Sequence, residues 1–335
     1  MKLDLRVALL GGGSWGTTVG SIASRNANVT LWARNKKTVN EINQNHANPR
    51  YLPDIKLPNS LRASTDLEKT VSDCDVLVVG VPSSSFRDVL KATTPYLSSS
   101  TPIISLTKGL EKDTDLRMSQ LIEEICPNNP NGVLTGPNLA REIMNGKAAA
   151  SVIAMHDPKL AAKLQPIFHN GLFRVYTNQD VIGCELGGIL KNIIAIAVGM
   201  GIGLGAGDNT RASLITRGLA EITRLGVAMG GKAETFSGLT GMGDLIATCV
   251  SPLSRNHQVG VQLGAGKSIE EIIKNMVMVA EGVKSAPTVI KLALKHNINM
   301  PIGEDVNQVV TGQKTAQQAF KGLLKAEIGS EFDPG

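Results

Sequence analysis

A glycine-rich segment close to the amino terminus limits the folds open to this chain more than any other feature. Residues 8–18 read ALLGGGSWGTT, so Gly11, Gly13 and Gly16 have the spacing GxGxxG. The segment follows the strand-like run RVALLGG and begins the helix-like run WGTTVGSIASR, and this context makes the spacing informative. The first glycine permits a tight turn, the second lets the backbone approach a pyrophosphate, and the third lets the helix pack on the strand. We therefore expect a dinucleotide-binding site at the positive end of this helix.

Strand-like and helix-like runs alternate through the first half of the chain. The runs predicted as strands after the first are NVTLWAR, DVLVVGVP, PIISLTKG, GVLTG, AASVIAM and FRVYT, and the further helices are LRMSQLIEEIC and PKLAAKLQPIF. Such alternation predicts a parallel sheet covered by helices on both faces. After about residue 180 only helical patterns remain, at 185–199, 210–229, 268–278 and 285–295. We therefore predict a Rossmann-type, doubly wound α/β domain over residues 1–182, followed by an all-helical substrate domain over residues 183–330.

Charge and cysteine usage exclude several classes of function. The net charge of the 335-residue chain is +5, and no Lys/Arg block with interleaved aromatic residues occurs, so nucleic acid is not an expected partner. Cys74, Cys126, Cys184 and Cys249 form no CxxC pair, and the five histidines have no metal-ligand spacing. We expect no metal site and reduced thiols in a cytoplasmic protein. The most apolar run, residues 193–207, is shorter than the roughly 20 residues of a membrane span, so a buried helix ending in a glycine-rich turn is predicted instead of an integral membrane segment.

The residues after the second predicted strand bear on the choice of cofactor. NAD-binding sites usually place an acidic side chain about 20 residues beyond the glycines, where it accepts from the ribose 2′-hydroxyl. Here LWARNKK ends the strand with Arg34, Lys36 and Lys37, and no acidic residue stands at the tip. A cationic tip suits the 2′-phosphate of NADP, and a solvated basic loop is the alternative. We expect NADPH to be preferred, NADH to be accepted less well, and Arg34 to be the main contact.

A lysine and an asparagine interrupt the most apolar helical pattern. Lys191 and Asn192 lie in CELGGILKNIIAIAVGMG, residues 184–201. A lysine is costly to bury unless its charge is paired or lost. Either its stem lies along apolar surface with the ammonium group in water, or the lysine acts within a ligand pocket. Glu185, one to two turns earlier, offers one partner for the charge.

Six motifs along the rest of the chain reveal a family resemblance. In chain order they are SLTKGLE, LTGPNLARE, CELGGILKN, GLTGMGDLIATC, SRNHQVG and AEGVKSAPTV. With GGGSWG, they resemble the bacterial type of NAD(P)-dependent glycerol-3-phosphate dehydrogenase over nearly the whole chain. The resemblance implies an active site between the two domains. It also implies reversible reduction of dihydroxyacetone phosphate to sn-glycerol 3-phosphate for glycerophospholipid synthesis, and we expect a homodimer.

The resemblance also implies roles for individual residues. The implied catalytic residues are Lys108, Lys191, Asn192, Asp244 and Thr248. The implied substrate contacts are Lys108, Gly136, Asn138, Lys191, Asp244, Ser254, Arg255 and Asn256. The implied cofactor contacts are Gly11, Gly13, Ser14, Trp15, Gly16, Arg34, Lys108, Ala140, Arg255, Val279 and Glu281. One departure concerns LTGPNLARE, where the family often has Ser-Phe in place of Asn138 and Leu139; an asparagine can still donate a hydrogen bond to substrate.

The chemistry of ketone reduction agrees with these roles. Hydride transfer builds negative charge on the ketone oxygen, which needs a proton donor and a cation, and Lys191 meets both needs. Two other functions stay open. Another enzyme of the same two-domain plan would act on a β-hydroxyacid or a sugar acid, and a non-catalytic regulator would bind NADPH alone. The regulator would tolerate loss of Lys191, Lys108, Asp244 or Arg255, and all four are present.

Overall fold

The computed structural model describes residues 3–276 and 280–323 of the chain. The chain divides into two compact units, Met1–Val181 and Ile182–Gly335, and this division falls beside the boundary expected after residue 182. The first unit holds the strands, and the described residues of the second unit form only helices and turns. The predicted order, an α/β unit followed by an all-helical unit, is confirmed.

A sheet of eight strands forms the centre of the first unit. Counting a separate two-stranded hairpin, the described part of this unit has ten strands: β1 Arg6–Leu10, β2 Asn28–Trp32, β3 Ala47–Asn48, β4 Leu52–Lys56, β5 Arg62–Ser64, β6 Val76–Val79, β7 Ile103–Ser105, β8 Asn131–Thr135, β9 Ala149–Met155 and β10 Phe173–Asn178. Their order in the sheet is β10-β9-β8-β7-β6-β1-β2-β5, while β3 and β4 form a separate hairpin. The chain continues from β1 to one side through β2 and later to the other side through β6. The carboxyl ends of β1 and β6 therefore form the switch point at which ligands bind in folds of this kind.

One strand runs against its neighbour, which corrects the prediction of a wholly parallel sheet. β9 pairs antiparallel with β8, and the other strand pairs of this sheet are parallel. The connection between β8 and β9 contains only the five-residue helix Ala140–Met144. Residues 136–148 therefore contain no long crossover helix, and β9 begins at the edge of the sheet where β8 ends.

Helices cover both faces of the sheet, as predicted. They are α1 Ser14–Asn26, α2 Lys36–Asn40, α3 Leu67–Val71, α4 Ser83–Thr93, α5 Met118–Ile125, α6 Ala140–Met144 and α7 Pro158–Phe168, with short helical turns at Glu41–Asn45 and Thr94–Tyr96. Side chains of a strand alternate between faces, so Val7 and Leu9 of β1 enter one apolar core with α1 and α7. Ala8 and Leu10 enter a second core with α4 and α5. The hairpin, β5, α2, α3 and α4 were not predicted, because their apolar runs are short or irregular.

The second unit is a helical bundle. Its helices are α8 Val181–Gly203, α9 Asp208–Ala228, α10 Ala233–Phe236, α11 Asp244–Val250, α12 Arg255–Gly264, α13 Ile269–Lys274, α14 Glu281–Lys295, α15 Pro301–Val310 and α16 Ala316–Leu323, with a π-helical turn at Leu239–Gly243. The pattern predicted as a helix over 268–278 is helical only as far as Lys274, and residues 277–278 lie outside the described part. The helix start predicted at Arg255 is confirmed.

The most apolar helix, α8, is longer than the pattern at 185–199 suggested. At 23 residues it has the length and composition to cross a membrane, but 94% of its most apolar window is buried inside the protein. It is the only described helix with these properties. The core helix of a globular unit meets the same criteria, and the burial of α8 identifies it as such a helix. The predicted buried helix and the glycine-rich turn after it are therefore both present.

Paired glycines let α8 and α12 cross closely. A Cβ atom placed on Gly199 would lie 2.9 Å from the Cα atom of Gly260, and one on Gly203 would lie 2.9 Å from that of Gly264. Both distances are shorter than carbon atoms tolerate, so glycine is required for this approach. The same crossing places the first turn of α12 beside the middle of α8, where Lys191 and Asn192 are found.

Candidate active site and cofactor site

The glycine-rich loop between β1 and α1 has the geometry of a phosphate cradle. Gly11 has φ +121°, which favours glycine, and a Cβ atom there would lie 2.5 Å from the carbonyl oxygen of Gly80. A Cβ atom on Gly16 would collide with the carbonyl oxygen of Gly11, so this glycine allows helix and strand to pack. A Cβ atom on Gly13, in contrast, would meet no atom within 4 Å. The loop is therefore closely packed at Gly11 and Gly16, and it is open at Gly13, where a pyrophosphate would approach.

The first turn of α1 provides the donors that a phosphate needs. Gly13 caps the helix and no side chain bonds the first amides, which have no acceptor within a helix. The Ser14 hydroxyl donates to the carbonyl oxygen of Tyr51 at 3.0 Å. The Trp15 ring meets Phe173 edge-on at 6.3 Å, and its indole N–H is buried without an acceptor in the described part of the chain. These residues fit a bound dinucleotide.

The basic tip after β2 is exposed. Arg34, Lys36 and Lys37 all face solvent, and Asn35 accepts from the backbone N–H groups of Lys37 and Thr38 to cap the short helix α2. Arg34 makes no hydrogen bond or ion pair to any residue that the structure describes. Its guanidinium group therefore keeps its full bonding capacity for an anion.

Lys108 lies just beyond the carboxyl end of β7, on the same edge of the sheet as the glycine loop. Its Nζ atom donates to the carbonyl oxygen of Gly136 at 2.8 Å. Gly136 follows β8 with φ +144°, and a Cβ atom there would come 3.1 Å from the Cα atom of Ser151. Asn138 donates through Nδ2 to the Ser151 hydroxyl at 3.2 Å, while its Oδ1 atom is buried without a partner among the described residues. The predicted residues Lys108, Gly136 and Asn138 thus lie together, and Ala140 begins α6 directly after them.

An arginine that the sequence did not single out holds the loop that carries Lys108. Arg87 of α4 donates from Nε and Nη2 to the two carboxylate oxygens of Glu111, at 2.7 and 2.8 Å, and also bonds Glu124. Such a two-pronged pair fixes orientation as well as distance. The hydrogen bond from Arg87 lowers the pKa of Glu111, so the pair stays charged at neutral pH. The only signal in the sequence was the glutamate that follows Lys108 in SLTKGLE.

Lys191 is buried and paired, which rules out an ammonium group that extends into water. Its Nζ atom lies 2.6 Å from Oδ1 of Asp244, and the two side chains are 7% and 2% exposed. The ammonium group also donates to the hydroxyl of Thr248. That hydroxyl donates in turn to the backbone carbonyl oxygen of Asp244 at 2.6 Å, which orients its lone pairs toward the lysine. The lysine therefore does not reach water along an apolar surface; it is held by α11.

Burial also sets the state of two neighbours of this cluster. It raises the pKa of the Cys249 thiol to about 12, with Lys191 opposing and Asp244 assisting the shift. Burial lowers the pKa of His257, so the imidazole is neutral at pH 7. Neither group therefore carries a charge near neutral pH.

Asn192 and Asn256 form a hydrogen-bonded chain across three helices. Asn256 of α12 donates to Oδ1 of Asn192 on α8 at 2.9 Å, and its own Oδ1 accepts from the backbone N–H of Gly282 on α14 at 3.0 Å. Both asparagines are buried. Their amides fix the relative positions of the helices that carry Lys191, Arg255 and Glu281.

Arg255 opens α12 in a setting that suits an anion. Ser254 caps this helix by accepting from the N–H of His257 at 3.3 Å. Arg255 as a residue is exposed, yet surrounding protein atoms desolvate its guanidinium group and lower its pKa, while Glu281 opposes that shift. A side chain that is exposed to solvent and also surrounded by protein atoms lies in a concave part of the surface. An arginine keeps its charge at neutral pH in such a position. Val279, the remaining predicted cofactor contact, lies outside the described residues.

Family profiles match both units in chain order. The profile of the NAD-dependent glycerol-3-phosphate dehydrogenase N-terminus matches residues 6–161, and that of the C-terminus matches residues 180–321. The chain belongs to the NAD-dependent glycerol-3-phosphate dehydrogenase family. Sequence relatives agree with this membership. A glycerol-3-phosphate dehydrogenase (NAD(P)+) 2 from Sphingopyxis alaskensis is 63% identical over 333 residues, covering 99% of this chain and 100% of that protein. A glycerol-3-phosphate dehydrogenase (NAD(P)+) 1 from Mycobacterium bovis is 52% identical, covering 98% and 97%.

Solved structures of this dehydrogenase family share the fold. A glycerol-3-phosphate dehydrogenase from Coxiella burnetii is 37% identical with a TM-score of 0.91, over 96% of this chain and 99% of that one. A ketopantoate reductase from Ralstonia eutropha is only 17% identical with a TM-score of 0.59, over 94% of this chain and 100% of that one, so it shows the fold alone. The names of these sequence relatives include both cofactors, so they do not show whether NADH or NADPH is preferred.

Proposed function

We propose that the chain reduces dihydroxyacetone phosphate to sn-glycerol 3-phosphate, reversibly, with NADPH preferred to NADH. The observation that carries the proposal is the buried cluster of Lys191, Asp244 and Thr248, together with Arg255 at the start of α12. Burying the charge of a lysine costs desolvation free energy, and a catalytic function would explain why the residue is a lysine. Within a family of glycerol-3-phosphate dehydrogenases, the task that fits is proton transfer to a ketone oxygen.

Each residue of the cluster has a distinct part in the reaction. A nicotinamide cofactor on the glycine cradle would supply the hydride. The Lys191 ammonium group stabilises the negative charge that develops on the ketone oxygen and gives that oxygen a proton. Asp244 and Thr248 hold Nζ in position, so no reorganisation is needed during the reaction. In the reverse direction the neutral amine of Lys191 accepts the proton of the hydroxyl group.

The substrate phosphate needs a separate anchor, and Arg255 provides it. A guanidinium group donates two parallel hydrogen bonds to two oxygens of one phosphate. The positive dipole end at the start of the ten-residue helix α12 also attracts the phosphate. Asn256 is already bonded to Asn192 and Gly282, so its part is to hold Arg255 and Lys191 in register. On the first unit, Lys108 is a second cation beside Gly136 and Asn138 for substrate and cofactor.

The preference for NADPH follows from Arg34. The tip of β2 has three exposed cations and no acidic residue, and a 2′-phosphate gains from this field while a 2′-hydroxyl does not. We further propose that the enzyme acts in the cytoplasm as a homodimer and supplies glycerophospholipid synthesis. Sedimentation at twice the chain mass of 35.4 kDa is the expected result for the dimer.

A spectrophotometric assay tests the proposed reaction. Oxidation of NADPH and of NADH is followed at 340 nm with dihydroxyacetone phosphate, and in parallel with a β-keto acid and a keto sugar acid. We expect oxidation to depend on dihydroxyacetone phosphate and to be faster with NADPH at low cofactor concentration. Oxidation with the β-keto acid but not with dihydroxyacetone phosphate would instead support a different reductase of the same two-domain plan.

A further inference from the structure

A tight turn between β3 and β4 lies against the glycine-rich loop. The turn contains Asn48, Pro49, Arg50 and Tyr51, and the Tyr51 N–H donates to the carbonyl oxygen of Asn48 at 3.1 Å. Proline in the second position of such a turn sets the backbone in advance. The hairpin is not part of the main sheet; Leu52 and Ile55 of β4 pack into the apolar core that α1 shares, and the turn contacts the loop.

Asn48 is the residue of the turn whose side chain contacts the loop. It is 1% exposed, and its Nδ2 atom donates to the carbonyl oxygen of Gly12 at 2.9 Å and to the hydroxyl of Thr17 at 2.8 Å. Its Oδ1 atom has no partner among the described residues. Burial of an amide whose oxygen has no hydrogen-bond partner costs free energy. The two hydrogen bonds that Nδ2 donates therefore explain why residue 48 is an asparagine.

The bond to Gly12 determines the direction of the next amide. In a planar trans peptide the carbonyl group and the following N–H point in opposite directions, and the described part of the chain has no cis peptide. Because Asn48 holds the Gly12 carbonyl toward itself, the Gly13 N–H points away from the hairpin. Beside Gly13 there is open space, and its N–H has no acceptor within the residues that the structure describes.

We propose that Asn48 is a positioning residue for the cofactor phosphates, because it holds the Gly12–Gly13 peptide so that the Gly13 N–H is presented to the pyrophosphate. The proposal deepens the NAD(P) binding put forward above and rests on it. It assigns a role to a hairpin that lies outside the glycine motif. Since NADH and NADPH share the pyrophosphate, Asn48 acts on both cofactors equally.

Cofactor binding without substrate tests this role. Dissociation constants for NADPH and NADH are measured by calorimetric titration of wild type, Asn48→Ala and Thr17→Val. Thr17→Val is the matched control, because it removes the second acceptor of Asn48 and keeps the bond to Gly12. We expect Asn48→Ala to weaken NADPH and NADH binding by about tenfold each, since a hydrogen bond to a charged group is lost or misaligned. Thr17→Val should leave both constants within about threefold of wild type.

Kinetics separate positioning from a general loss of structure. At saturating NADPH the turnover of Asn48→Ala should stay within about threefold of wild type, while its KM for NADPH rises about tenfold. A folded Asn48→Ala that binds both cofactors as wild type does would overturn the proposal. So would equal losses in Asn48→Ala and Thr17→Val, because the Gly12 bond is intact in the second variant.

A measurement on the wild-type protein covers the case in which Asn48→Ala does not fold. With 15N-glycine labelling, the Gly13 amide is identified as the resonance missing from Gly13→Ala. We expect this amide to exchange freely with solvent in the free protein and to become protected when NADPH is added. Protection that is unchanged by NADPH would contradict the proposal. Because these readouts need no dihydroxyacetone phosphate, a protein that binds NADPH but does not reduce this ketone would disprove only the proposed reaction.

Discussion

At the scale of single residues, the position of Lys191 is explained by what it touches. Its ammonium group contacts Asp244 and Thr248, which come from a helix 53 and 57 positions further along the chain. Removing one partner of a buried ion pair leaves the other charge uncompensated. The lysine and the aspartate therefore compensate each other's buried charge.

The first prediction concerns the loss of this lysine. Lys191→Ala should lower kcat by at least about 10²–10⁴-fold, because the proton donor is removed together with the cation that stabilises the oxyanion. The dissociation constant for NADPH should change by less than about threefold. Steady-state kinetics and cofactor titration give both values. The exposed Lys295 on α14 is the control, and Lys295→Ala should behave as wild type. If Lys191→Ala kept more than about a tenth of the wild-type kcat, Lys191 would not be the proton donor.

The second prediction concerns Arg34 and the 2′-phosphate. Arg34→Ala should weaken NADPH binding by about ten- to a hundredfold, because a charge-assisted hydrogen bond contributes roughly 1.5–3 kcal/mol. NADH binding should change far less. Titration of both cofactors gives the ratio of affinities, with Arg25→Ala as a control because Arg25 is also an exposed arginine of the first unit. An unchanged ratio in Arg34→Ala would mean that the basic tip is a solvated loop.

At the scale of helices, a buried carboxylate joins α9 to the start of α15. Glu221 is 2% exposed, and its two oxygens accept from the backbone N–H groups of Ile302 and Gly303 at 2.9 and 3.1 Å. These amides are in the first turn of α15 and have no acceptor within that helix. Burial raises the pKa of Glu221 to about 7, while the two hydrogen bonds and Arg224 oppose the shift and Glu304 adds to it.

The third prediction is a pH dependence of stability from Glu221. The folded carboxyl group has a pKa of about 7 against a reference of 4.5, so the folded state binds more protons than the unfolded state between these values. Its contribution to the free energy of unfolding is therefore complete below about pH 4.5 and is lost as the pH rises toward 7, on the order of 3 kcal/mol at most. Glu221→Gln cannot titrate and should remove this slope.

Urea denaturation at pH 5, 6, 7 and 8 measures the effect. At pH 5 the protonated carboxyl group of wild type has one carbonyl acceptor, as the amide of Glu221→Gln does, so we expect the variant to be less stable there by at most about 1 kcal/mol. The difference should shrink or reverse by pH 8. Glu234→Gln, on an exposed glutamate of α10, should keep the wild-type slope. A constant difference between wild type and Glu221→Gln at all four pH values would show that Glu221 does not titrate in this range.

At the scale of the whole molecule, burial protects the cysteine thiols from reagents in solution. All four cysteines are buried, and none of them forms a disulfide bond. Burial raises the pKa of Cys74 to about 11 and that of Cys249 to about 12. Because the thiolate is the reactive form, these groups are both inaccessible and protonated at neutral pH.

The fourth prediction follows from this burial. At pH 8 the native protein should react with iodoacetamide at least about a hundredfold more slowly than the protein in denaturant, where all four thiols are accessible. Saturating NADPH should slow the reaction further, since a ligand of the native state lowers the population of opened states. Mass spectrometry counts the labelled thiols over time. Rapid labelling of one cysteine in the native protein would contradict the burial of that residue.

The sequence by itself determined the class of each half of the chain and the place of the phosphate cradle. Strand and helix periodicities are local, and the GxGxxG spacing joins a strand to a helix within a few residues. The same is true of the helix start at Arg255, where serine is a strong capping residue. A motif can be read wherever the residues that act together are also neighbours in the chain.

Only the tertiary structure decided which distant residues meet. The ion pair of Lys191 with Asp244 joins residues that are 53 positions apart. The antiparallel pairing of β9 with β8 was visible only in the structure, and the contact of Asn48 with Gly12 joins residues 36 positions apart. Periodicity describes which face of a strand or helix is buried, whereas pairing over such separations depends on how the chain crosses the sheet and how closely helices approach. At the crossing of α8 and α12, that approach depends on two pairs of glycines whose function is apparent only when the helices are in contact.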